Sequence, residues 1–284
     1  MRPYDRYAGT HPMTRGSEMG SLVVKICGVR TVHQARVAAE AGADMVGLVF
    51  AESRRRVTPA EAHEVTAAAY VQRPRFVGVF VNEDPDVIGR LAGELRLDLV
   101  QLSGDEAPEE CARLQVPYLK VVHVRSGMAA QDVLRSVERY RDAVAIVLDS
   151  GDRRPAPCPE STRAADAARS GATVDRTDAP PTAYPPCGRG SSLAALTRPG
   201  PPGGLAPSAY GGTGVALDPA IAADVVRQFG GHVMLAGGLR PETVAGAVRA
   251  ACPWGVDVSS GVETDGAKDE AKITAFVAAA KGAV

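Results

Sequence analysis

From Leu22 onward, short runs rich in β-branched residues alternate with stretches whose apolar residues recur at helical spacing, the pattern of repeated βα units and a parallel sheet. The strand-like runs are LVVKI (22–26), MVGLVF (45–50), RFVGVF (75–80), DLVQL (98–102), YLKVVHV (118–124), AVAIVLD (143–149), HVMLAG (232–237) and GVDVSS (255–260). Between them, Val244, Ala247, Val248 and Ala251 fall at i, i+3, i+4 and i+7, as do Ile273, Phe276, Val277 and Ala280, so each stretch presents one apolar stripe. Helix starts are marked as well. Thr58-Pro59-Ala60-Glu61 combines a capping hydroxyl, a proline at the first helical position and a glutamate at the third, and Asp84-Pro85 and Asp218-Pro219 repeat the cap-then-proline order.

Eight such units in about 250 residues suit a closed barrel, which predicts an α/β fold built as a single (β/α)8 TIM barrel. An open doubly wound sheet, with fewer strands and edges to protect, is the alternative. Residues 152–209 break the pattern: they hold eleven of the 21 prolines, many Ala, Gly, Ser and Arg, and no sustained periodicity, the composition of a disordered insertion. The expected organisation is a disordered tail over 1–20 and a barrel over 21–284 interrupted by 152–209. The insertion follows the sixth strand, on the catalytic face of such a barrel, where it could serve as a lid, a partner-binding arm or a tolerated loop.

Composition narrows the classes of function. Of the 284 residues, 45% are hydrophobic and 23% charged, an ordinary globular balance. Lys and Arg number 32 against 33 Asp and Glu, so no overall field favours nucleic acid or an anionic membrane, and any anion site must be local. The five cysteines (Cys27, Cys111, Cys158, Cys187, Cys252) form no CxxC pair and have no histidines spaced to complete a zinc set, which predicts a reducing compartment and no metal. No run of 18 apolar residues exists and the first twenty lack a signal-like stretch, so the expected location is the cytoplasm.

Barrel enzymes take their reactive groups from the C-terminal ends of different strands. The first strand ends at Cys27, followed by Gly28; the thiol is a candidate base, although a lone cysteine is more often a small buried hydrophobe. The sixth ends at Asp149, a carboxylate closing an apolar strand and a candidate general acid if its walls raise its pKa; a loop hydrogen-bond acceptor is the plainer alternative. Glycine-rich turns at Gly211-Gly212-Thr213-Gly214, Gly237-Gly238 and Ser259-Ser260-Gly261 together suggest a phosphate cradle. Ser53-Arg54-Arg55-Arg56, after the second strand, could grip a carboxylate with one guanidinium while others stay solvated.

In this order KICG, GLVF followed by SRR, VGVFVN, VQLSGDE, VLD, YGGTG, LAGGL and DVSSGVE resemble the phosphoribosylanthranilate isomerases, over nearly everything from Val24 onward except the insertion. The resemblance implies a cofactor-free Amadori rearrangement of N-(5'-phosphoribosyl)anthranilate, so the expected partner is this small molecule; monomer and homodimer are both left open by the sequence. It implies Asp149 as the acid that opens the sugar ring and Cys27, as thiolate, as the base at C2, with neighbouring dipoles or cations lowering the Cys27 pKa. It further implies Arg55 for the anthranilate carboxylate, with Arg54 or Arg56 as substitutes, Asp257 near the sugar hydroxyls, and phosphate contacts at Gly212, Gly214, Gly237, Gly238, Ser259, Ser260 and Gly261. Three positions depart from the family pattern: Ser103 stands for a histidine, Val215 for a lysine, and Leu217-Asp218-Pro219 for Phe-Asp-Trp. Two other functions stay open, the sister isomerase of histidine biosynthesis, which uses an aspartate in place of Cys27, and a non-catalytic phosphate-ligand-binding paralogue.

Overall fold

In the computed structural model, which describes residues 22–151 and 217–284, eight parallel strands close into a ring in sequence order. They are β1 (Val23–Cys27), β2 (Met45–Val49), β3 (Arg75–Phe80), β4 (Leu99–Leu102), β5 (Tyr118–Val124), β6 (Ala145–Ser150), β7 (Val233–Leu235) and β8 (Gly255–Val258). Each is followed by a helix: α1 (Val32–Glu40), α2 (Pro59–Ala67), α3 (Pro85–Glu94), α4 (Pro108–Cys111), α5 (Ala130–Glu138), α6 (Pro219–Phe229), α7 (Pro241–Ala251) and α8 (Glu270–Lys281). This is the (β/α)8 barrel. The tail expected over 1–20, the insertion expected over 152–209 and the turn at 211–214 lie outside the described residues. Among the described residues no helix is long and apolar enough to cross a membrane.

The expected helix starts are formed as their chemistry requires. Thr58 accepts a hydrogen bond from the Glu61 amide at 3.2 Å, and the Glu61 carboxylate accepts one from the Thr58 amide at 2.7 Å, a reciprocal capping box in front of Pro59. Asp84 and Asp218 cap α3 and α6 from the position before proline, each accepting from the amide two residues on at 2.8 Å. The apolar stripe of α8, Ile273, Phe276, Val277 and Ala280, is fully covered. The seventh and eighth strands stop short of their expected ends for a local reason. Gly237 and Gly238 take positive φ of 80° and 67°, and Ser259 leaves the extended region at φ −125°, ψ −81°, so the chain turns off the barrel there.

Because side chains alternate along a strand, one set faces the helices and the other fills the barrel. Met45, Val77, Leu99, Leu119, Val121, Ala145, Val147 and Met234 form a dry interior cluster. Along the same inward rows Lys25, Cys27, Gln101, His123, Asp149 and Asp257 introduce polar groups at the upper, C-terminal end. The ring closes where β1 pairs with β8, Lys25 lying in register with Asp257.

A second buried lysine works on the outer side of the sheet. Lys120 on β5, 2% exposed, donates to the Glu106 carboxylate at 2.7 Å and to the Gly104 carbonyl at 2.8 Å. Glu106 also accepts from the amides of Asn82 (2.9 Å) and Gly104 (3.0 Å), while Asn82 Oδ1 accepts from the Asp105 amide at 2.7 Å. The loops after β3 and β4 are thus clamped together, which is the structural role of the VFVN and GDE sequences. Removing one partner of a buried pair strands the other as an uncompensated charge. We predict that Glu106→Ala lowers unfolding stability by about 3–5 kcal/mol, measured by urea denaturation, and that Glu106→Gln with Lys120→Met recovers much of the loss; a Glu106→Ala change near zero would contradict the clamp.

Candidate active site

The mouth of the barrel carries two groups of candidate functional side chains, one at the β8–β1–β2 side and one at the β5–β6–β7 side. In the first, Cys27 closes the inward row of β1 and is 8% exposed. Two positions earlier on that row, Lys25 has no exposure and donates to Asp257 Oδ1 at 3.0 Å. Gly47 on β2 leaves the space both need, since a Cβ there would lie 2.9 Å from Cys27 Sγ and 3.2 Å from Lys25 Nζ. Gly28, at φ 77°, turns the chain out of β1, and the stem of Arg55 lies where its Cβ would be.

After β8 a short 3-10 turn (Ser260–Val262) leads into a small hairpin, β9 (Glu263–Thr264) and β10 (Ala267–Lys268). Glu263 gathers cations. Its two oxygens accept from Arg55 Nε (2.6 Å) and Nη2 (2.9 Å), from Arg54 Nη2 (2.6 Å) and from Lys268 Nζ (2.8 Å). Lys268 also donates to the Ser259 carbonyl at 2.9 Å, and Ser259 Oγ donates to the Cys27 carbonyl at 3.0 Å. One carboxylate shared by three cations leaves this side of the mouth positive.

These surroundings decide the protonation chemistry. Burial pushes the Cys27 thiol above its ordinary value, and the pull of Lys25 and Lys268 in the opposite direction only partly offsets it. The expectation that neighbouring cations lower this thiol is therefore met in the cations and reversed in the balance, because the end of β1 is so thoroughly dry. Burial opposes the charge on Lys25, yet Asp257 and the thiol beside it hold the ammonium above its usual range. Burial likewise opposes the Glu263 carboxylate, and its hydrogen bonds from Arg55 and Lys268 win, keeping it below the usual range.

In the second group Asp149 ends the inward row of β6, its side chain 28% exposed, with His123 Nδ1 3.7 Å from its carboxylate. Gly237 lies directly against it: a Cβ at Gly237 would meet Asp149 Oδ1 at 2.9 Å and collide with Ser150. Gly261 in turn presses against the Leu239 carbonyl, so the turns after β7 and β8 pack without side chains between them. Two of the three expected phosphate turns are thereby brought together, the first of them beside Asp149; Gly212 and Gly214 of the third lie outside the described residues. Ser260 is exposed at the rim, while the Ser259 hydroxyl is committed to Cys27 and Lys268.

Of the three arginines, Arg55 is 7% exposed over Gly28, Arg54 is bound to the same glutamate from the outside, and Arg56 is exposed. Sequence reasoning passed over Lys25, Lys268 and Glu263. Lys25 carried a usable signal, a charged residue two positions before Cys27 and so on the same face of an otherwise apolar buried strand. Gln101 was also missed. It lines the interior on β4, donates to Ser103 Oγ at 3.1 Å, and its Oε1 has no hydrogen-bond partner among the described residues.

Fold and site together define a barrel enzyme equipped for acid–base chemistry on an anionic small molecule. The model of the N-(5'phosphoribosyl)anthranilate (PRA) isomerase family matches residues 24–174 and 204–279. The N-(5'-phosphoribosyl)anthranilate isomerase of Dehalococcoides mccartyi is 35% identical over 268 residues, 92% of this chain and 97% of that protein, and that of Roseiflexus sp. is 38% identical, with 92% and 98% covered. The crystal structure of phosphoribosyl anthranilate isomerase from Thermotoga maritima superposes with a TM-score of 0.66 at 28% identity, covering 92% of this chain and 99% of that one. A phosphoribosyl anthranilate isomerase in complex with reduced 1-(o-carboxyphenylamino)-1-deoxyribulose 5-phosphate gives 0.63 at 27% identity, with the same coverage. The chain belongs to the N-(5'-phosphoribosyl)anthranilate isomerase family.

Because Gly237 combines a left-handed backbone with contact on both Ser150 and Asp149, its replacement should displace Asp149, the candidate acid. We predict that Gly237→Ala lowers turnover by at least about 10²-fold while the circular dichroism spectrum keeps its native form; retained turnover would show that Asp149 tolerates the shift or is not needed.

Proposed function

We propose that the chain isomerises N-(5'-phosphoribosyl)anthranilate to 1-(2-carboxyphenylamino)-1-deoxyribulose 5-phosphate in tryptophan biosynthesis, with Asp149 as general acid and Cys27 as general base. Beside the family membership, the observation that carries this reading is their placement. The thiol and the carboxylate end inward rows of β1 and β6, each next to a positive or glycine-lined turn suited to an anion.

Asp149 gives its proton to the ring oxygen as the C1–O bond breaks and the anthranilate nitrogen lone pair forms a C1=N bond. The Cys27 thiolate then takes the proton from C2, and the C–H electrons move to give the enolamine. Collapse of the enol to the C2 ketone with protonation at C1 completes the rearrangement, with no net gain or loss of atoms or electrons. No redox partner is required, and we place the enzyme in the cytoplasm as a monomer or homodimer acting on this small molecule without a cofactor.

The remaining assignments follow the chemistry of each group. Arg55, its stem over Gly28 and its guanidinium oriented by Glu263, would take the anthranilate carboxylate. Asp257 would meet the sugar hydroxyls above Lys25. Gly237, Gly238, Ser259, Ser260 and Gly261, with Gly212 and Gly214, would supply the phosphate site, where glycines allow backbone amides to approach an anion.

The test is turnover followed through anthranilate fluorescence on purified full-length protein, together with rescue of a tryptophan auxotroph lacking this step; failure of both would overturn the proposal. Cys27→Ala and Asp149→Ala should each lower kcat/KM by about 10²–10⁴-fold with the fold intact, whereas Cys252→Ala, at the exposed end of α7, should change it little. The pH profile has a definite sign. A base must be deprotonated to act, and the Cys27 thiol is held above the ordinary thiol value, so kcat/KM should still be climbing at about pH 8.5; a profile already flat there would point to a different base.

A further inference from the structure

Lys25 is among the largest fully buried side chains of the described residues and has no part in the reaction written above. An ion pair between Lys25 and Asp257 could serve only to close the ring between β1 and β8. Stability does not call for it, because well-packed apolar residues of similar volume replace buried ion pairs at little or no cost. The rest of the interior is filled that way, by Met45, Val77, Leu119 and Val147. Position separates the lysine from a plain barrel plug: its ammonium and the Cys27 sulfur converge on the single space that Gly47 leaves open.

We propose that Lys25 is a positioning residue for the reaction, its ammonium favouring the thiolate form of the Cys27 sulfur at the end of β1 while Asp257 keeps that ammonium charged. The proposal rests on Cys27 acting as the base. The charged groups facing the thiol are Lys25 on its own strand, Asp257 on β8 and Lys268 on β10, with Arg55 lying over Gly28. Asp257 opposes a thiolate, and Lys268 is shared with Glu263 and Ser259, so Lys25 contributes the largest pull toward the ionised form. A thiol this deeply buried, with no cation against it, would rarely ionise.

The experiment is a titration of the Cys27 thiolate by its ultraviolet absorbance, taken as the difference between a protein and the same protein carrying Cys27→Ala. Against wild type, Lys25→Met should raise the onset by about one pH unit or more. In the turnover assay the same variant should lose about tenfold in kcat/KM near neutrality and converge on wild type at high pH, where hydroxide does what the lysine did. If Lys25→Met fails to fold because Asp257 is stranded, the comparison moves to Asp257→Asn with and without Lys25→Met, a pair that never leaves a carboxylate unpaired. There the onset should again rise when the lysine is removed. An unchanged onset in a folded variant, or a loss of activity of equal size at every pH, would overturn the proposal. Wild-type protein that shows no turnover would defeat the assignment of function instead, while the titration still decides whether Lys25 and Cys27 are coupled.

Discussion

A lysine ammonium sealed from water must sit against an anion, and in this protein that requirement ties the first strand of the barrel to the last. Lys25 and Asp257 are in register across the β1–β8 seam, and their contact closes the ring where the two ends of the chain meet. The same row of β1 then delivers Cys27 two residues higher, and Gly47 on the neighbouring strand withholds a side chain where the lysine and the sulfur converge. Fold closure and the placement of the Cys27 thiol, the proposed base, are consequences of one arrangement.

The loops above this seam extend the electrostatic logic outward. Glu263 binds Arg54, Arg55 and Lys268 at once, joining the loop after β2 to the hairpin after β8 and leaving an excess of positive charge at the opening. A substrate with a carboxylate at one end and a phosphate at the other matches such a mouth, the second anion falling, in the proposed site, to glycine turns in place of guanidinium groups. Gly261 packs on the Leu239 carbonyl and Gly237 on Asp149, so the turns after β7 and β8 close on one another and the first of them borders the proposed acid. Across the barrel's outer face, the Lys120–Glu106 clamp fixes the loops after β3 and β4, which carry Asn82 and Ser103.

Much of this was legible in the chain itself. A parallel barrel writes its strands as nearly continuous apolar runs and its helices as spaced stripes, so all eight strands could be located, and Cys27 and Asp149 stood out because a reactive group ended an apolar run. The ends of β7 and β8 were placed too far along because Gly237, Gly238 and Ser259 look compatible with a strand until their backbone angles are known. Lys25 and Lys120 are harder to interpret from sequence, since alternation tells which face a residue occupies but not what it will meet there. Glu263 was invisible for a different reason: its contacts with Arg54 and Arg55 run between loops some 200 residues apart, and no local pattern encodes the partner, while Lys268 meets Glu263 only because the small hairpin folds back on itself. The direction of the Cys27 shift could not be read either, because it depends on the contest between burial and two lysines.

The central claim is that one sugar is held between Cys27 and Asp149. It is tested most directly by a crystal structure of this protein with a reduced, unreactive analogue of the product bound in the barrel mouth. The account predicts the Cys27 sulfur facing C2 and the Asp149 carboxylate facing the ring-derived oxygen, with the carboxylate at about 2.6–3.2 Å. The phosphate should lie over Gly237 and Gly261, and the carboxylate of the aromatic ring against Arg55. An analogue bound elsewhere, or one that leaves either group out of reach of the same sugar, would contradict it.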